Sequence, residues 1–363
     1  MTIQERIKEL RKLMRAQRID IYVIPSADFH QSEYVGDYFK AREYMTGFTG
    51  SAGTLVIAQS EAGLWTDGRY FIQAEKELMG TGISLYKSGN PGVITLENFI
   101  INHLPLNGTL GFDGRVFSAS EGSAFERIAE QKNAHIQYGR DLVDLIWEDR
   151  PSMPQNPIFF LEEQYTGEST SSKLTRIRQE MTKCGATVHL LTSLEDIAWL
   201  LNLRGSDVAY TPVFLSFALI TMDSVHLFID KEKVSDKIRV LLSKVNVTFH
   251  PYDEIYDFAF KLHSNESILL DPSRVNYTLY HQFSEHITKI EQTCPTILFK
   301  SVKNDVEIKN IRKAHVKDAV AHTKFLYWLK TSYQKEPITE LSASDKLEAL
   351  RGEQEHFLSP SFG

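Results

Sequence analysis

The chain repeats one long pattern twice, and this internal duplication restricts its possible folds more than any other feature. In the first half an amphipathic helix precedes the strand-like run Ile21-Tyr22-Val23-Ile24. In the second half, apolar residues at helical spacing over residues 174–181 precede a similar strand-like run at residues 187–191. Because solenoid repeats are only about 20 to 50 residues long, a repeat of this much greater length indicates two copies of a whole domain.

The correspondence continues beyond these first strands. Residues 43–51 correspond to residues 198–206, and each segment is followed by two strand-like runs. The runs lie at residues 54–58 and 64–66 in the first half, and at 215–221 and 225–229 in the second. We therefore expect the same mixed α/β domain to occur twice.

Local signals fix the order of elements in the first copy. Thr2 with Glu5 forms a capping box before a helix, and Ser118 with Glu121 forms another. A strand-like run at Thr109-Leu110-Gly111-Phe112 precedes the second of these helices. The predicted order is α-β-β-β-α-β-α.

Prolines mark the boundary between the copies. Pro151, Pro154 and Pro157 each lack an amide donor, which makes regular structure unfavourable in this stretch. We therefore predict domains at residues 1–150 and 151–303, with a third segment at 304–363.

The third segment is predicted to contain two helices. Asn304-Asp305 can cap the first, and Ser342 with Asp345 is predicted to cap the second. Two helices alone cannot bury their apolar faces, so the segment is expected to be the beginning of an interrupted domain.

Charge and composition exclude several classes of partner. Lys and Arg number 40 against 47 Asp and Glu, a net charge of −7 without long runs of either sign, so neither nucleic acid nor membrane is an expected partner. The N-terminus has no apolar stretch typical of a signal peptide, and the two cysteines, Cys184 and Cys294, lie far apart. We expect a cytoplasmic protein whose cysteines are buried or half-buried.

Motifs for catalysis are missing from the sequence. It contains no H-E-x-x-H metal motif, no G-x-S-x-G nucleophile elbow and no phosphate-binding glycine loop. The twelve histidines show no helical metal-ligand spacing, so structural or surface roles are expected for them. Pairing Asp67 with Asp28 or Glu33 as an acid and base would require a distance that sequence does not give. No catalytic residue and no metal ligand are therefore predicted within the chain.

Three groups of residues carry a resemblance to a known family. The runs at residues 24–34, 46–54 and 64–71, the last reading Leu-Trp-Thr-Asp-Gly-Arg-Tyr-Phe, resemble the N-terminal domain of three-domain Xaa-Pro aminopeptidases. Residues 202–208 with Tyr210 and residues 212–214 resemble the second domain of that family. The segment from Lys303 to Leu329 resembles the first helix of its catalytic domain.

The resemblance implies a fold and an activity. The fold would be two duplicated creatinase N-terminal-like mixed-sheet domains followed by the first helices of a truncated pita-bread catalytic domain. In the family, two divalent ions, usually manganese, are held by two Asp, one His and two Glu downstream of the Ser-Phe motif that is Ser361-Phe362 here. The full-length enzyme would remove the first residue from peptides with a penultimate proline. The fragment itself would bind no cofactor, be inactive, and contribute substrate access and the contacts of a homodimer.

One residue is linked to substrate by the resemblance. Arg69 corresponds to an arginine that reaches the peptide-binding region in relatives, and a guanidinium suits a carboxylate or carbonyl groups. The alternative is a turn in which Arg69 forms a salt bridge with a neighbour.

Other polar residues are expected to be structural. His30 and Glu33 are predicted to belong to a hydrogen-bond network within a loop, and Arg204 with Asp207 to form an ion pair between domains. The tryptophans Trp65, Trp199 and Trp328 are expected in the core.

Two alternative functions remain for a chain of this kind. A creatinase or Xaa-Pro dipeptidase shares the terminal fold, but these relatives generally have one N-terminal domain, whereas the duplication gives two. A non-enzymatic peptide- or protein-binding module of creatinase-like fold, as in histone-chaperone subunits, is the other alternative. The mild acidity of the chain gives it no support.

Overall fold

The computed structural model of the protein describes residues 1–263 and 265–362. Its first half forms one six-stranded sheet with five α-helices. The strands are β1 Ile21–Pro25, β2 Thr54–Ala58, β3 Ala62–Thr66, β4 Ser84–Lys87, β5 Thr109–Phe112 and β6 His135–Gln137. The helices are α1 Ile3–Ala16, α2 Ala41–Thr46, α3 Phe71–Glu77, α4 Leu96–His103 and α5 Ala119–Gln131.

The second half forms another six-stranded sheet and a small two-stranded ladder. The strands are β7 Phe159–Phe160, β8 Val188–Leu191, β9 Leu203–Arg204, β10 Phe217–Thr221, β11 Val225–Phe228, β12 Val247–His250, β13 Ser267–Leu270 and β14 Thr288–Glu291. The helices are α6 Glu163–Thr166, α7 Thr170–Cys184, α8 Leu194–Leu201, α9 Asp236–Ser243, α10 Glu254–Lys261, α11 Tyr277–Gln282 and α12 Pro295–Ser301. Helices α13 Asp305–Ser332 and α14 Glu340–Gly352 complete the chain.

The two large sheets have the same topology, which confirms the predicted duplication. Their strand orders are β4-β3-β2-β1-β5-β6 and β12-β11-β10-β8-β13-β14. In each sheet the first three strands of the chain pair antiparallel and the remaining pairings are parallel. The domain limits of 1–150, 151–303 and 304–363 stay predictions.

Local sequence explains why these elements form where they do. Thr2 and Glu5 make the predicted capping box of α1, and Ser118 and Glu121 make that of α5. Strand β1 is central because its side chains alternate between two buried clusters, with Tyr22 on one face of the sheet. The resulting sheet is covered on both faces.

The equivalent helices α2 and α8 end in the same way. Their C-cap residues, Gly47 and Asn202, both adopt the left-handed conformation, with φ of 71° and 53°. Glycine and asparagine are the residues that tolerate this region most readily. The chain therefore turns sharply at the same point of both repeats.

The two halves are joined by a seam made from equivalent segments. Ser118, the N-cap of α5, forms a β-bridge with Asn276, the N-cap of α11. The N–H of Ala119 donates to the carbonyl oxygen of Val275 at 2.9 Å, and the N–H of Tyr277 donates to that of Phe117 at 2.8 Å. In both bonds the residue after one N-cap is joined to the residue before the other. The seam is thus nearly symmetric, and its backbone groups are satisfied across it.

Side chains also cross the seam. Tyr277 lies in the aromatic cluster of the first half, and its hydroxyl donates to Glu126 at 2.5 Å. Ala119 lies in the core of the second half, as do Phe29 and Phe39. Because each half contributes residues to the core of the other, we expect the two sheets to unfold together.

Helices α13 and α14 contact one another but leave much apolar surface exposed. Ala321 is the buried residue of α13 and Leu350 that of α14, whereas Val316, Tyr327 and Leu341 are 65%, 72% and 78% exposed. No helix in the described part of the chain combines the length and apolarity needed to cross a bilayer.

We predict that α14 is only weakly protected. Since its stability depends on few buried apolar contacts, its amides should exchange with solvent at least about tenfold faster than those of β1 in native-state hydrogen exchange. Equal protection of the two elements would contradict this expectation.

Several local predictions need correction. Helix α14 is capped by Thr339 with Ser342, not by Ser342 with Asp345, because the helix begins three residues earlier than predicted. Trp65 and Trp199 are buried as predicted, but Trp328 is half-buried on the exposed helix pair. The predicted order of the first half also lacked α2, β4, α4 and β6.

A buried histidine gives the second half a defined pH response. His189 in β8 is fully buried, its Nδ1 lies 2.9 Å from the carbonyl oxygen of Leu269, and burial lowers its pKa to about 4. The unfolded chain takes up this proton near pH 6.5 and the folded chain does not, so stability is present above that pH and falls as pH drops towards 4.

We predict that acidification from pH 7 to 5 costs about 2 kcal/mol of unfolding free energy through His189. In denaturant titrations at the two pH values, His189→Gln should reduce the difference in unfolding free energy by about this amount, and other buried histidines such as His30 should supply the rest. The exposed His135, changed to Gln, should leave it intact. An unchanged difference in His189→Gln would show that other groups cause it.

Candidate functional site

Arg69 stands at the carboxyl end of β3, on the turn that leads into α3. Its Nε and Nη2 donate to the two carboxylate oxygens of Asp67 at 2.9 and 2.8 Å, and its guanidinium lies 5.0 Å from the ring centroid of Tyr70. The Arg69 side chain remains 66% exposed. It is thus oriented by a neighbour while its outer edge faces solvent.

The charge of this pair is fixed over the ordinary pH range. Hydrogen bonds from Arg69 lower the pKa of Asp67, and the same contact raises the pKa of Arg69. The salt bridge that was the alternative interpretation is therefore present. It uses Nε and Nη2, so Nη1 remains available to a carboxylate or a carbonyl oxygen.

A buried arginine lies beneath the neighbouring loop. Arg42 is 4% exposed and donates to Ser26 Oγ at 2.8 Å and to the carbonyl oxygens of Phe48 and Gly50. Burial lowers the pKa of Arg42 to about 10, so it stays charged at neutral pH. Its forked donors fix the path of residues 48–50.

The outer side of this loop is tied to the Arg69 motif. Glu77 of α3 accepts from the N–H and the hydroxyl of Thr49 at 2.9 and 2.8 Å. Ser51 Oγ lies 2.6 Å from the hydroxyl of Tyr70. The loop and the start of α3 therefore form one fixed surface beside Arg69. The Thr49 hydroxyl, which donates to the Glu77 carboxylate, thereby holds the loop in place.

His30 lies within the contact between the halves. It is 1% exposed, with Nδ1 2.9 Å from the carbonyl oxygen of Thr192 and Nε2 2.6 Å from the hydroxyl of Tyr252. A carbonyl can only accept, so Nδ1 carries the proton and Nε2 accepts from Tyr252. Burial also lowers the pKa of His30. His30 thus takes part in a hydrogen-bond network, but its ring partners lie in the other half and not within the predicted loop, and Glu33 is exposed.

Arg204 and Asp207 do not form the predicted interdomain ion pair. Arg204 Nη1 donates to the carbonyl oxygens of Ala198 and Leu203 at 2.9 and 2.8 Å. Asp207 instead binds Lys233 of the same half, with side chains 0% and 2% exposed. The prediction was wrong because both residues have nearer partners in their own half, which sequence spacing does not show.

The described residues hold no evident metal centre. Within 1–263 and 265–362, no group of three or more His, Cys, Asp or Glu is placed to hold a metal ion. Both cysteines are free, with Cys184 half-buried and Cys294 buried, as predicted. Burial raises the pKa of the Cys294 thiol, so it is not a reactive thiolate at neutral pH.

Two domain models match consecutive parts of the chain. Residues 6–143 and 149–307 each match a creatinase/prolidase N-terminal domain. The chain is also 36% identical to Xaa-Pro aminopeptidase 1 of Dictyostelium discoideum and 34% identical to aminopeptidase P2 of Arabidopsis thaliana, in each case over 99% of its own length. The chain belongs to the family of creatinase/prolidase N-terminal domains, and it is similar to Xaa-Pro aminopeptidases along nearly its whole length.

A solved structure of an Xaa-Pro aminopeptidase agrees with this fold along the whole chain. The crystal structure of X-prolyl aminopeptidase from Caenorhabditis elegans, described as a cytosolic enzyme with a di-nuclear active site, superposes with a TM-score of 0.93. It is 32% identical and covers 100% of this chain. This chain spans 62% of that structure, 59% of the Dictyostelium relative and 56% of the Arabidopsis relative.

The sequence did not reveal the roles of two residues, one beneath the candidate site and one at the contact between the halves. Arg42 gave no local signal, because an arginine in a helix is ordinarily a surface residue. Tyr252 lies 222 residues from its partner His30. The repeated Gly and Asn turns after α2 and α8 were the one signal that pointed to the loop above Arg42.

Proposed function

We propose that these residues form the two N-terminal domains of a metal-dependent Xaa-Pro aminopeptidase, which removes the first residue from peptides whose second residue is proline. The observation that carries the proposal is the match of the whole chain to the nematode enzyme, at 32% identity and a TM-score of 0.93. The duplicated sheets favour this enzyme over a relative with a single N-terminal domain.

The metal chemistry is proposed to use residues outside these 363. Two divalent ions, manganese by the family resemblance, would polarise the scissile carbonyl and supply a hydroxide when bound. The described residues contain no three-ligand group for either ion, so the chain alone should lack peptidase activity. Its domains at 1–150 and 151–303 would shape substrate access and take part in homodimer contacts. A cytosolic location is proposed from the description of the nematode enzyme.

An assay of the purified 363-residue chain tests this division of labour. Release of the first residue from Xaa-Pro-Xaa peptides with added Mn²⁺ should be absent for the chain and present for the C. elegans enzyme measured beside it. Joining the chain to the dinuclear part of that enzyme should restore cleavage. Cleavage by the 363 residues alone would overturn the proposed location of the metal ligands, and an inactive but folded chimera would count against the aminopeptidase proposal.

Arg69 is proposed to contact the peptide through its outward donors. In an enzyme that carries these residues with a dinuclear domain, Arg69→Ala should raise KM about tenfold with little change in kcat, because a charge-assisted hydrogen bond in the bound state is lost. Arg127, an exposed arginine in α5 away from this surface, supplies the control Arg127→Ala, which should leave KM unchanged. An unaltered KM in Arg69→Ala would leave Arg69 as a turn residue only.

A further inference from the structure

Two histidines face each other on adjacent strands of the second sheet, away from the surface around Arg69. His226 lies in β11 and His250 ends the parallel neighbour β12. Their nearest ring nitrogens, Nδ1 of His226 and Nε2 of His250, are 3.0 Å apart. Phe258 of α10 packs on His226 with ring centroids 4.8 Å apart, and Phe228 stacks on His250 at 4.9 Å. Packing therefore holds both rings in place.

A chain of hydrogen bonds determines where His226 carries its proton. The carboxylate of Asp223 accepts from the Thr221 hydroxyl at 2.7 Å, and that bond lowers the pKa of Asp223. The Thr221 oxygen must then accept from the Ser224 hydroxyl, 2.8 Å away. Ser224 Oγ is left as an acceptor facing His226 Nε2 at 3.4 Å. The proton of neutral His226 is thus favoured on Nε2, which leaves a lone pair on Nδ1.

The outer nitrogen of His250 also faces an acceptor. Glu254, the first residue of α10, places Oε2 3.6 Å from His250 Nδ1. A carboxylate near neutral pH only accepts, so it favours a proton on Nδ1 and a lone pair on Nε2. With these tautomers the two facing nitrogens, 3.0 Å apart, both carry a lone pair and share no proton, so a cation bound to both from one side would relieve their repulsion.

We propose that His226 and His250 together bind one divalent transition-metal ion of the zinc type, with water completing its coordination. With metal–nitrogen bonds of about 2.0–2.1 Å, two nitrogens on one ion lie roughly 2.9 Å apart at a right angle and roughly 3.4 Å apart at the tetrahedral angle. The observed 3.0 Å falls between these values.

The surroundings supply what such a ligand pair requires. Glu254 Oε2, 3.6 Å from His250 Nδ1, approaches the carboxylate–histidine arrangement that orients metal-binding imidazoles and raises their basicity. Burial, followed by the neighbouring His250, lowers the pKa of His226, so the ring is neutral and available near pH 7. Imidazole favours zinc, copper and nickel over the oxygen-seeking Mg²⁺ and Ca²⁺.

A bound ion would hold the edge strand of the second sheet to its neighbour. Strand β12 is one of the two edge strands of the second sheet, and its neighbour in the sheet is β11. An ion held by one histidine from each strand would link this edge to the sheet interior. The proposal does not rest on the aminopeptidase function, because none of these residues belongs to the Arg69 surface.

Zinc binding by the purified 363-residue chain tests the proposal. Titration calorimetry with Zn²⁺ at pH 7.5 should show one ion per chain, and both His226→Gln and His250→Gln should weaken binding at least tenfold. Glu254→Gln should weaken it about tenfold, as expected when the partner behind a ligand is lost. His135→Gln, at an exposed position in β6, should bind as the unaltered chain does.

A second readout guards against variants that fail to fold. Zn²⁺ should raise the Tm of the unaltered chain and of His135→Gln but not that of either ligand variant, each checked by circular dichroism. Bound Cu²⁺ should show two nitrogen ligands by electron paramagnetic resonance. No Zn²⁺ binding up to about 1 mM, or binding unchanged in both ligand variants, would overturn the proposal. A histidine pair that titrates by NMR as one shared proton without binding Zn²⁺ would overturn it as well.

Discussion

Replacing Lys233 with Met should cost about 3–5 kcal/mol of unfolding free energy. Its Nζ lies 2.5 Å from Asp207 Oδ2, and the two side chains are 2% and 0% exposed. Removal of the ammonium would leave a carboxylate buried with only the N–H of Leu215, at 2.7 Å, as a remaining donor. Urea unfolding followed by circular dichroism would measure the loss.

Two further variants separate the buried charge from other effects. Asp207→Asn combined with Lys233→Met should lose clearly less than the sum of the single changes, because no unpaired charge remains buried. Lys183→Met removes an exposed partner of Glu180 and should cost less than about 1 kcal/mol. If Lys233→Met were as mild as Lys183→Met, the pair would contribute little to the stability of the second half.

Gly122→Ala should destabilise the chain by about 2–3 kcal/mol and loosen the seam. A Cβ at this position of α5 would lie 2.0 Å from a ring atom of Tyr277, whose side chain is 2% exposed and bonded to Glu126. The ring cannot move away without leaving the cluster that joins the two halves. In urea, we expect a single unfolding transition to separate into two.

Gly139→Ala is the matched control for this substitution. A Cβ there would meet nothing within 4 Å, so this change should be nearly neutral. An equally mild Gly122→Ala would show that the seam adapts readily and that Tyr277 does not join the halves. Tyr277→Phe keeps the ring but removes the hydroxyl, so it should cost less than Gly122→Ala and preserve the single transition.

The duplication and the central strands could be predicted because their signals are local. Strand β1 alternates between two buried faces, and α1 and α5 carry complete capping boxes. Strands β4 and β6 were missed because they lie at sheet edges and are only four and three residues long, too short for an apolar pattern to stand out. Their pairing partners are distant in sequence, and a local pattern does not identify such partners.

The candidate site was predictable only in part. The sequence placed Arg69 on an exposed turn, and the structure shows it there with Asp67. Arg42 and His30 owe their roles to tertiary neighbours, and their contacts across loops and halves leave no periodic signal. The substrate role of Arg69 stays a prediction.

The seam between the halves has the form of a contact between two identical molecules. Ala119 and Tyr277 occupy equivalent positions and make reciprocal bonds, as residues do across a two-fold axis of a homodimer. Both copies lie on one chain, so the contact forms at the high effective concentration of an intramolecular encounter. The contact therefore persists at dilutions at which two separate molecules that form the same contact would dissociate.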